Sequence, residues 1–237
     1  MNGKIKAILF DMDGTLVRMN EKDFTENYLR RLCAVVCPMG YDKDIIVKGL
    51  WKGVAAMIAN DGSRTNAEAF WDVFESVVGG NIREKEPVFE DFYRNGDFKK
   101  SIEITKPNPK VRELIDTLKE RGIRLILATN PLFPESAQYV RMSWVGLTPD
   151  DFELITHYEN SSYSKPNKNY FLSVLDRCSL TPEECLMIGN NINDDIIPAE
   201  ALGITTFAVD EYLMGEPDQA PRKGSFDEMT EFILNKI

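Results

Sequence analysis

Short, mostly apolar runs recur along the chain in the pattern that is typical of buried strands. They cover residues 7–10, 123–128, 152–155, 185–188 and 204–209. Continuous apolar runs of this length suit strands that are covered on both faces. Segments with apolar residues at helical spacing lie between the later runs and after the last one. This alternation predicts an α/β fold, in which helices cover both faces of a parallel sheet.

The stretch between the first predicted strand and Pro107 has a different pattern. Apolar positions repeat there at helical spacing over residues 22–37, 42–59, 65–78 and about 86–95. Because no strand is predicted within this stretch, it is long enough to form a small domain of its own. We therefore predict an all-helical domain over residues 18–103, inserted into a core that is formed by residues 1–17 and 104–237.

Composition and charge narrow the class of protein. The 237 residues are 43% hydrophobic and 28% charged, which is typical of a globular domain. A net charge of −10, from 28 basic and 38 acidic residues, argues against nucleic acid as a partner. No apolar stretch approaches the roughly 20 residues of a membrane span, and the N-terminus lacks a signal-peptide pattern. We therefore expect no membrane association, and the oligomeric state stays open.

The four cysteines are expected to be free thiols. Cys33 and Cys37 lie one helical turn apart, but no second pair of cysteines or histidines follows at a spacing typical of zinc sites. Free thiols are typical of a reducing compartment, so a cytoplasmic location is predicted. The single histidine, His157, is interpreted as a loop residue without a metal.

Two acidic residues, Asp11 and Asp13, follow the first predicted strand. Side chains alternate along a strand, so these two point to the same side. Ligands of open α/β sheets bind outside the carboxyl ends of the strands. Two carboxylates at such an edge can share a divalent cation. Alternatively, one can attack an electrophile while the other transfers a proton.

The segment from Asp11 to Leu16, Asp-Met-Asp-Gly-Thr-Leu, resembles the first motif of the haloacid dehalogenase (HAD) superfamily of phosphohydrolases. Further segments follow in the order of that family's motifs. Thr129 closes the second predicted strand, Lys165 precedes a proline, and Gly189 follows the fourth predicted strand. The resemblance implies a Rossmann-like core with a C1-type helical cap, and it covers nearly the whole chain.

The same resemblance implies a role for each matching residue. Asp11 is the expected nucleophile, which forms an aspartyl phosphate, and Asp13 is the expected general acid and base. The Thr129 hydroxyl, the backbone N–H of Asn130 and the Lys165 ammonium are expected to bind the phosphoryl group. The expected cofactor is Mg²⁺.

The fourth motif departs from the family pattern. The family has Gly-Asp-x-x-x-Asp, and this chain has Gly-Asn-Asn-Ile-Asn-Asp-Asp from Gly189 onward. One register places Asn191 and Asp195 at the two acids, and it is favoured because a glycine commonly found in relatives then falls eight residues later, at Gly203. The other register uses Asn190 and Asp194. In either register the first acid is an asparagine, so weaker Mg²⁺ binding is expected.

The metal ligands are accordingly predicted to be Asp11, Asp13, Asn191 and Asp195. Candidate substrate contacts in the helical block are Trp51, Lys52, Arg64 and Trp71, and Arg18 and Lys22 are candidate sources of local positive charge. The predicted activity is Mg²⁺-dependent hydrolysis of a small phosphorylated metabolite. A phosphomutase with the same aspartyl phosphate, and a weakly active or non-catalytic binding module, stay open as alternatives.

Overall fold

The computed structural model describes residues 5–237, and its centre is a sheet of six strands, all parallel. The spatial order of the strands is β3-β2-β1-β4-β5-β6. The strands are β1 (Ala7–Phe10), β2 (Arg124–Leu127), β3 (Leu154–Ile155), β4 (Cys185–Gly189), β5 (Thr205–Val209) and β6 (Lys223–Gly224). The predicted parallel α/β sheet is thereby confirmed. The first four residues of the predicted core segment 1–17 lie outside the described residues.

Nine α-helices accompany the sheet in the described part of the chain. Four of them lie between β1 and β2 in sequence: α1 (Glu21–Val36), α2 (Lys43–Ile58), α3 (Asn66–Val78) and α4 (Glu86–Arg94). The others are α5 (Lys110–Glu120), α6 (Glu135–Ser143), α7 (Lys168–Cys178), α8 (Ile197–Glu200) and α9 (Phe226–Leu234). None of the helices described is long and apolar enough to cross a membrane.

Strand β1 lies in the interior of the sheet, and its side chains alternate between two apolar layers. Ile8 and Phe10 belong to the larger core cluster, which includes side chains of α5 and α9. Ala7 and Leu9 belong to the second cluster, which includes side chains of α7. All four residues are fully buried, because helices cover both faces of the strand. The carboxyl end of β1 therefore lies near the middle of the edge where the strands end.

The helical insertion is joined to the sheet by two chain segments that contact each other. The first leaves β1 and enters α1, whose N-terminus is capped by the side chain of Asn20. The second returns through a 3₁₀-helix, Asp97–Ile104, and then the backbone N–H of Lys106 donates to the carbonyl of Arg18 at 2.8 Å. The Asn66 amide also donates to the Ser164 hydroxyl at 3.0 Å. The boundaries 18–103 stay a prediction.

Three local features are absent from the elements that the hydrophobic pattern predicts. Lys223–Gly224 forms a sixth strand beside β5. Asp97–Ile104 forms a 3₁₀-helix. The turn Ile192–Ile196 is a π-helix that leads into α8. A π-helix accommodates one more residue than an α-helical turn, and such turns are frequent at functional sites.

Candidate active site

The predicted site residues follow adjacent strands at one edge of the sheet. Phe10 pairs in register with Leu127 on one side and with Ile188 on the other. The segments after these three strands therefore emerge side by side. They line a single cavity of ≈ 980 Å³ together with part of the helical insertion. The cavity lining includes Asp11, Asp13, Thr129, Asn130, Lys165, Asn190, Asn191, Asp194 and Asp195.

A tight turn after β1 presents the two acids. The backbone N–H of Gly14 donates to the carbonyl of Val17 at 2.8 Å, which folds the chain back on itself. Gly14 has φ +81°, a left-handed conformation that favours glycine. A Cβ at this position would also lie 2.2 Å from the Nδ2 atom of Asn190. Glycine is therefore required both by the backbone and by the approach of the segment that follows β4.

Lys165 is a buried cation between two carboxylates. Its side chain is 1% exposed, and its Nζ atom lies 2.9 Å from Oδ1 of Asp11 and 2.6 Å from Oδ1 of Asp195. Burial lowers the pKa of this ammonium, but Asp11 and Asp195 outweigh that effect and hold the pKa well above its ordinary value. Lys165 therefore carries its charge throughout the neutral range and compensates the acids beside it.

Asp195 links that lysine to the segment after β4. Its Oδ2 atom accepts hydrogen bonds from the backbone N–H groups of Asn190 at 3.1 Å and Asn191 at 3.0 Å. A Cβ on Gly189 would lie 2.4 Å from the Asp195 carboxyl carbon, so only glycine allows this close approach. The carboxylate thus fixes the Lys165 ammonium and the two asparagines in one rigid arrangement.

The two asparagines of the fourth motif have different contacts. The Oδ1 atom of Asn190 accepts from the Thr15 hydroxyl at 3.3 Å, and that hydroxyl also lies 3.3 Å from Oδ2 of Asp11. The Nδ2 atom of Asn190 donates to the carbonyl of Tyr212 at 2.7 Å. Asn190 therefore faces Asp11, while its amide nitrogen holds the loop after β5.

Asn191 points its amide oxygen at the helix that follows it. Its Oδ1 atom accepts from the backbone N–H groups of Asn193 at 3.0 Å and Asp194 at 3.2 Å. This is an N-cap arrangement, which satisfies the otherwise unpaired donors of a helix start. Of the two asparagines, the structure thus brings Asn190 to Asp11, and the Asn191 oxygen is occupied by its own backbone.

Asp13 forms an ion pair that the sequence did not indicate. Its Oδ2 atom accepts from Nη1 of Arg141, which lies on α6 and is 1% exposed. The same guanidinium donates to Oε1 of Gln138 and lies 4.5 Å from the ring centroid of Phe133. Burial raises the pKa of Asp13 to about 6, although Arg141 opposes this shift.

Arg141 is not among the residues predicted for the site, although the sequence contains a signal for it. Ala137, Arg141 and Trp144 follow one another at helical spacing, and both neighbours are apolar and buried. An arginine within an apolar helix face is seldom buried unless a partner compensates its charge. That pattern indicates an acidic partner, but the sequence does not show that the partner is Asp13.

Thr129 and Asn130 are held by hydrogen bonds on the segment after β2. The Thr129 carbonyl accepts from the Thr156 hydroxyl at 2.7 Å and from the Tyr170 hydroxyl at 2.9 Å. The Oδ1 atom of Asn130 accepts from the backbone N–H of Lys165 at 3.2 Å. These bonds fix the loop that carries Thr129 against the segment that carries Lys165.

The candidates in and near the helical insertion divide into two groups. Trp51, Trp71 and Lys22 line the cavity. Lys52, Arg64 and Arg18 are absent from its lining among the described residues, and two of these are held by acids, with Arg64 2.7 Å from Asp72 and Arg18 2.6 Å from Glu211. His157 lies outside the cavity lining and pairs with Glu159 at 2.6 Å.

The donor atoms near Asp11 suit a hard divalent cation. The Asp11 carboxylate and the Asn190 amide oxygen lie against one hydroxyl, and Asp194 faces the same cavity. Mg²⁺ prefers oxygen ligands of this kind. Within residues 5–237, no group of three or more His, Cys, Asp or Glu side chains is arranged as a metal cluster. The fit to Mg²⁺ therefore depends on the Asn190 amide oxygen as well as on carboxylates.

Comparisons with known proteins identify relatives that match most of the chain. Residues 5–203 match the family model described as haloacid dehalogenase-like hydrolase. A glyceraldehyde 3-phosphate phosphatase of Methanocaldococcus jannaschii is 26% identical over 205 residues, which are 86% of this chain and 85% of the relative. A pyrophosphatase PpaX of Bacillus anthracis is 24% identical over 234 residues, which are 98% of this chain and 96% of the relative.

A solved structure shares the fold. The putative HAD-hydrolase YfnB of Bacillus subtilis, described as bound to magnesium, aligns with a TM-score of 0.59 and 22% identity. The alignment covers 98% of this chain and 100% of that chain. The α/β core and the helical insertion thus form a known fold.

Proposed function

The chain belongs to the haloacid dehalogenase-like hydrolases, and we propose that it is a Mg²⁺-dependent phosphatase of a small phosphorylated substrate. The observation that carries the proposal is the position of Asp11. Its carboxylate lies at the end of the interior strand, 2.9 Å from the Lys165 ammonium, and faces a cavity that can admit an ester. The relatives named phosphatases support this reaction class.

Asp11 is the proposed nucleophile. One carboxylate oxygen attacks phosphorus, the bond from phosphorus to the ester oxygen breaks, and an aspartyl phosphate forms. Negative charge on the phosphoryl oxygens needs fixed cations and donors during this step. Lys165, the Thr129 hydroxyl and the backbone N–H of Asn130 are the proposed ligands of those oxygens.

Asp13 is the proposed general acid and base. It gives a proton to the leaving alkoxide and later accepts one from the water that hydrolyses the aspartyl phosphate. Burial raises the pKa of its carboxyl to about 6, against the influence of Arg141, which suits a group that gains and loses a proton near neutral pH. The ion pair with Arg141 holds this carboxylate in place.

The residues that would hold Mg²⁺ are Asp11, the backbone of Asp13 and Asn190, with Asp194 and Asp195 close by. Asn190, which belongs to the alternative register, is proposed in place of Asn191, because its amide oxygen shares the Thr15 hydroxyl with Asp11 while Asn191 caps a helix. A bound Mg²⁺ would supply positive charge that offsets the negative charge of the nucleophile and of the phosphoryl group. The description of YfnB as magnesium-bound supports this choice of metal.

The helical insertion is proposed to act as a C1-type cap over this site. Its helices supply one wall of the cavity, and its two connections meet at the hydrogen bond between Lys106 and Arg18. Closure of such a cap excludes water and selects the substrate. Cys33, Cys37, Cys178 and Cys185 are free thiols, which supports the proposed cytoplasmic location.

Steady-state hydrolysis of p-nitrophenyl phosphate, with and without Mg²⁺, tests the proposal. Turnover should require Mg²⁺, and quenched single-turnover samples should contain a phosphorylated peptide that includes Asp11. The Asp11→Asn variant is the control for contaminating phosphatases. Mg²⁺-independent turnover, or no turnover of any phosphate ester, would contradict the proposal and favour a binding module.

A further inference from the structure

We infer that this cavity selects a phosphate monoester whose alcohol is uncharged and largely aromatic or apolar. The inference rests on the proposed phosphatase function and names the substrate class of the same site. It is carried by three features of the cavity: its apolar wall, the shortage of free cations, and one pair of buried hydroxyl groups.

The cavity has an apolar wall whose side chains are only partly covered by protein. Two of them, Trp51 and Ile58, are 52% and 44% exposed, although large apolar side chains are usually buried. Both lie on α2 and face the cavity with others of the same kind. The incompletely buried apolar residues of this wall include Leu29, Trp51, Val54, Ile58, Leu132 and Phe133. Their free surface can be covered by an apolar ligand.

The charges around the cavity disfavour a second anionic group on the substrate. Among the described residues, the cations of the lining are Lys165 and Lys22. Lys165 is already shared between two carboxylates, and the Lys22 side chain is 82% exposed. The nearby Arg18 is paired with Glu211. A carboxylate or second phosphate on the substrate would therefore enter without a fixed cation as its partner. Such an unpaired charge is a common basis of discrimination between ligands.

Acidic groups on the rim strengthen this effect. Glu21, Asp210 and Glu211 line the cavity together with the acids of the reaction centre. An anionic alcohol portion would approach these carboxylates, and like charges repel over such short distances. An uncharged alcohol portion avoids that cost. The single phosphoryl group of a monoester can still bind to Lys165, Thr129 and Asn130.

One polar feature interrupts the apolar wall. The hydroxyl groups of Tyr28 and Tyr93 lie 2.7 Å apart, and one of them donates to the other. Among the described residues each hydroxyl has only the other as a hydrogen-bond partner, so one O–H is left without an acceptor. Both phenols stay neutral because burial raises their pKa values above the ordinary range. This pair can donate one hydrogen bond to an uncharged acceptor on the substrate.

Three phosphate esters of alkyl alcohols test the inference. They are 2-phenylethyl phosphate, ethyl phosphate and the phosphate ester of 3-hydroxypropionate. Their leaving groups are chemically similar, so differences in kcat/KM report on the alcohol portion of the substrate. We expect kcat/KM to be highest for the phenylethyl ester, and to exceed that of the carboxylated ester by at least about tenfold. Equal or higher kcat/KM for the carboxylated ester would overturn the inference.

Two substitutions on one helix provide a matched comparison. Trp51→Ala should reduce the preference for the phenylethyl over the ethyl ester, by about tenfold or more. Ile45→Ala removes another exposed apolar side chain of α2, which is 43% exposed and outside the cavity lining, so it should leave that preference unchanged. Equal effects of the two substitutions would contradict a substrate contact at Trp51.

The two proposals fail in distinguishable ways. An enzyme that hydrolyses p-nitrophenyl phosphate but prefers the carboxylated alkyl ester contradicts the substrate class alone. Absence of turnover with every ester contradicts the phosphatase function, and the inferred substrate class then falls with it.

Discussion

Arg141 and Asp13 form an ion pair in which the cation is buried and the acid is partly open to the cavity. The arginine side chain is 1% exposed and the Asp13 side chain is 29% exposed. The guanidinium carbon lies 4.5 Å from the centroid of the Phe133 ring, and the arginine side chain has almost no contact with water. Loss of Asp13 therefore leaves a buried charge, whereas loss of Arg141 leaves an acid that solvent can reach.

Asp13→Asn should destabilise the fold as well as reduce turnover. The substitution leaves the buried Arg141 charge uncompensated, and loss of one partner of a buried pair costs about 3–5 kcal/mol. Arg141→Met should cost less, since Asp13 can reach solvent. Urea denaturation measures both. The double variant should recover part of the loss, whereas strictly additive effects would contradict coupling of the two residues.

Asp11→Asn should abolish turnover and leave the fold intact. The nucleophile is lost, and we expect kcat to fall by at least about 10³-fold. Stability should not decrease, because Lys165 keeps its contact with Asp195 and one of several crowded acids becomes neutral. Phosphatase assays and thermal unfolding test this on the same sample. Retained turnover with an intact fold would show that another group attacks phosphorus.

Asn190→Asp should tighten Mg²⁺ binding, and Asn191→Asp should not. A carboxylate at residue 190 adds a charge beside Asp11, which should lower the Kd of Mg²⁺ by about tenfold. The metal-free variant should be less stable, because the donor to the Tyr212 carbonyl is lost.

Asn191→Asp is the matched control, because aspartate caps a helix as well as asparagine does. Titration calorimetry with Mg²⁺ compares the two variants directly. A gain in affinity at residue 191 alone would show that the register first inferred from the sequence is the correct one.

Asp151 should make stability depend on pH. Burial raises the pKa of its carboxyl, but hydrogen bonds from Arg112 at 2.6 Å and Lys119 at 2.7 Å outweigh it, so the pKa lies well below its ordinary value. A lowered pKa means that the stabilisation is complete above the unfolded value of about 3.9 and is lost as the pH falls through the folded value.

Asp151→Asn should therefore cost about 1–2 kcal/mol at pH 7, and the difference from the unsubstituted protein should shrink below about pH 4. Urea denaturation at both pH values tests this. Asp150→Asn is the control, since that neighbouring side chain is exposed and its loss should change neither value. A cost that is independent of pH would contradict the ionic contribution.

The sequence predicted the parts of the fold that depend on hydrophobic pattern. Strand β1 was predicted at its observed residues because burial on both faces requires four consecutive apolar side chains. Strand β6 was missed because Lys223–Gly224 carries no apolar signal and forms only beside β5. Helix α2 was predicted within one residue at each end, since its apolar spacing is regular.

Prediction of the site was limited by features that depend on the folded chain. The residues predicted to act in catalysis, phosphate binding and metal binding all line one cavity. The partner of Arg141 could not be predicted, because Asp13 lies far away in sequence and only the packing of α6 brings them together. The contacts of Asn190 and Asn191 depend on how the chain folds after β4, and the motif spacing does not show that Ile192–Ile196 is a π-helical turn.

The turn Ile192–Ile196 also carries two consecutive acids that both line the cavity. In a regular α-helix, successive side chains diverge by about 100°, so neighbours seldom face the same point. Here Asp194 lines the cavity while Asp195, the next residue, holds Lys165. Lys165 compensates one of these two acids, so the other supplies the negative charge that the neutral Asn190 lacks.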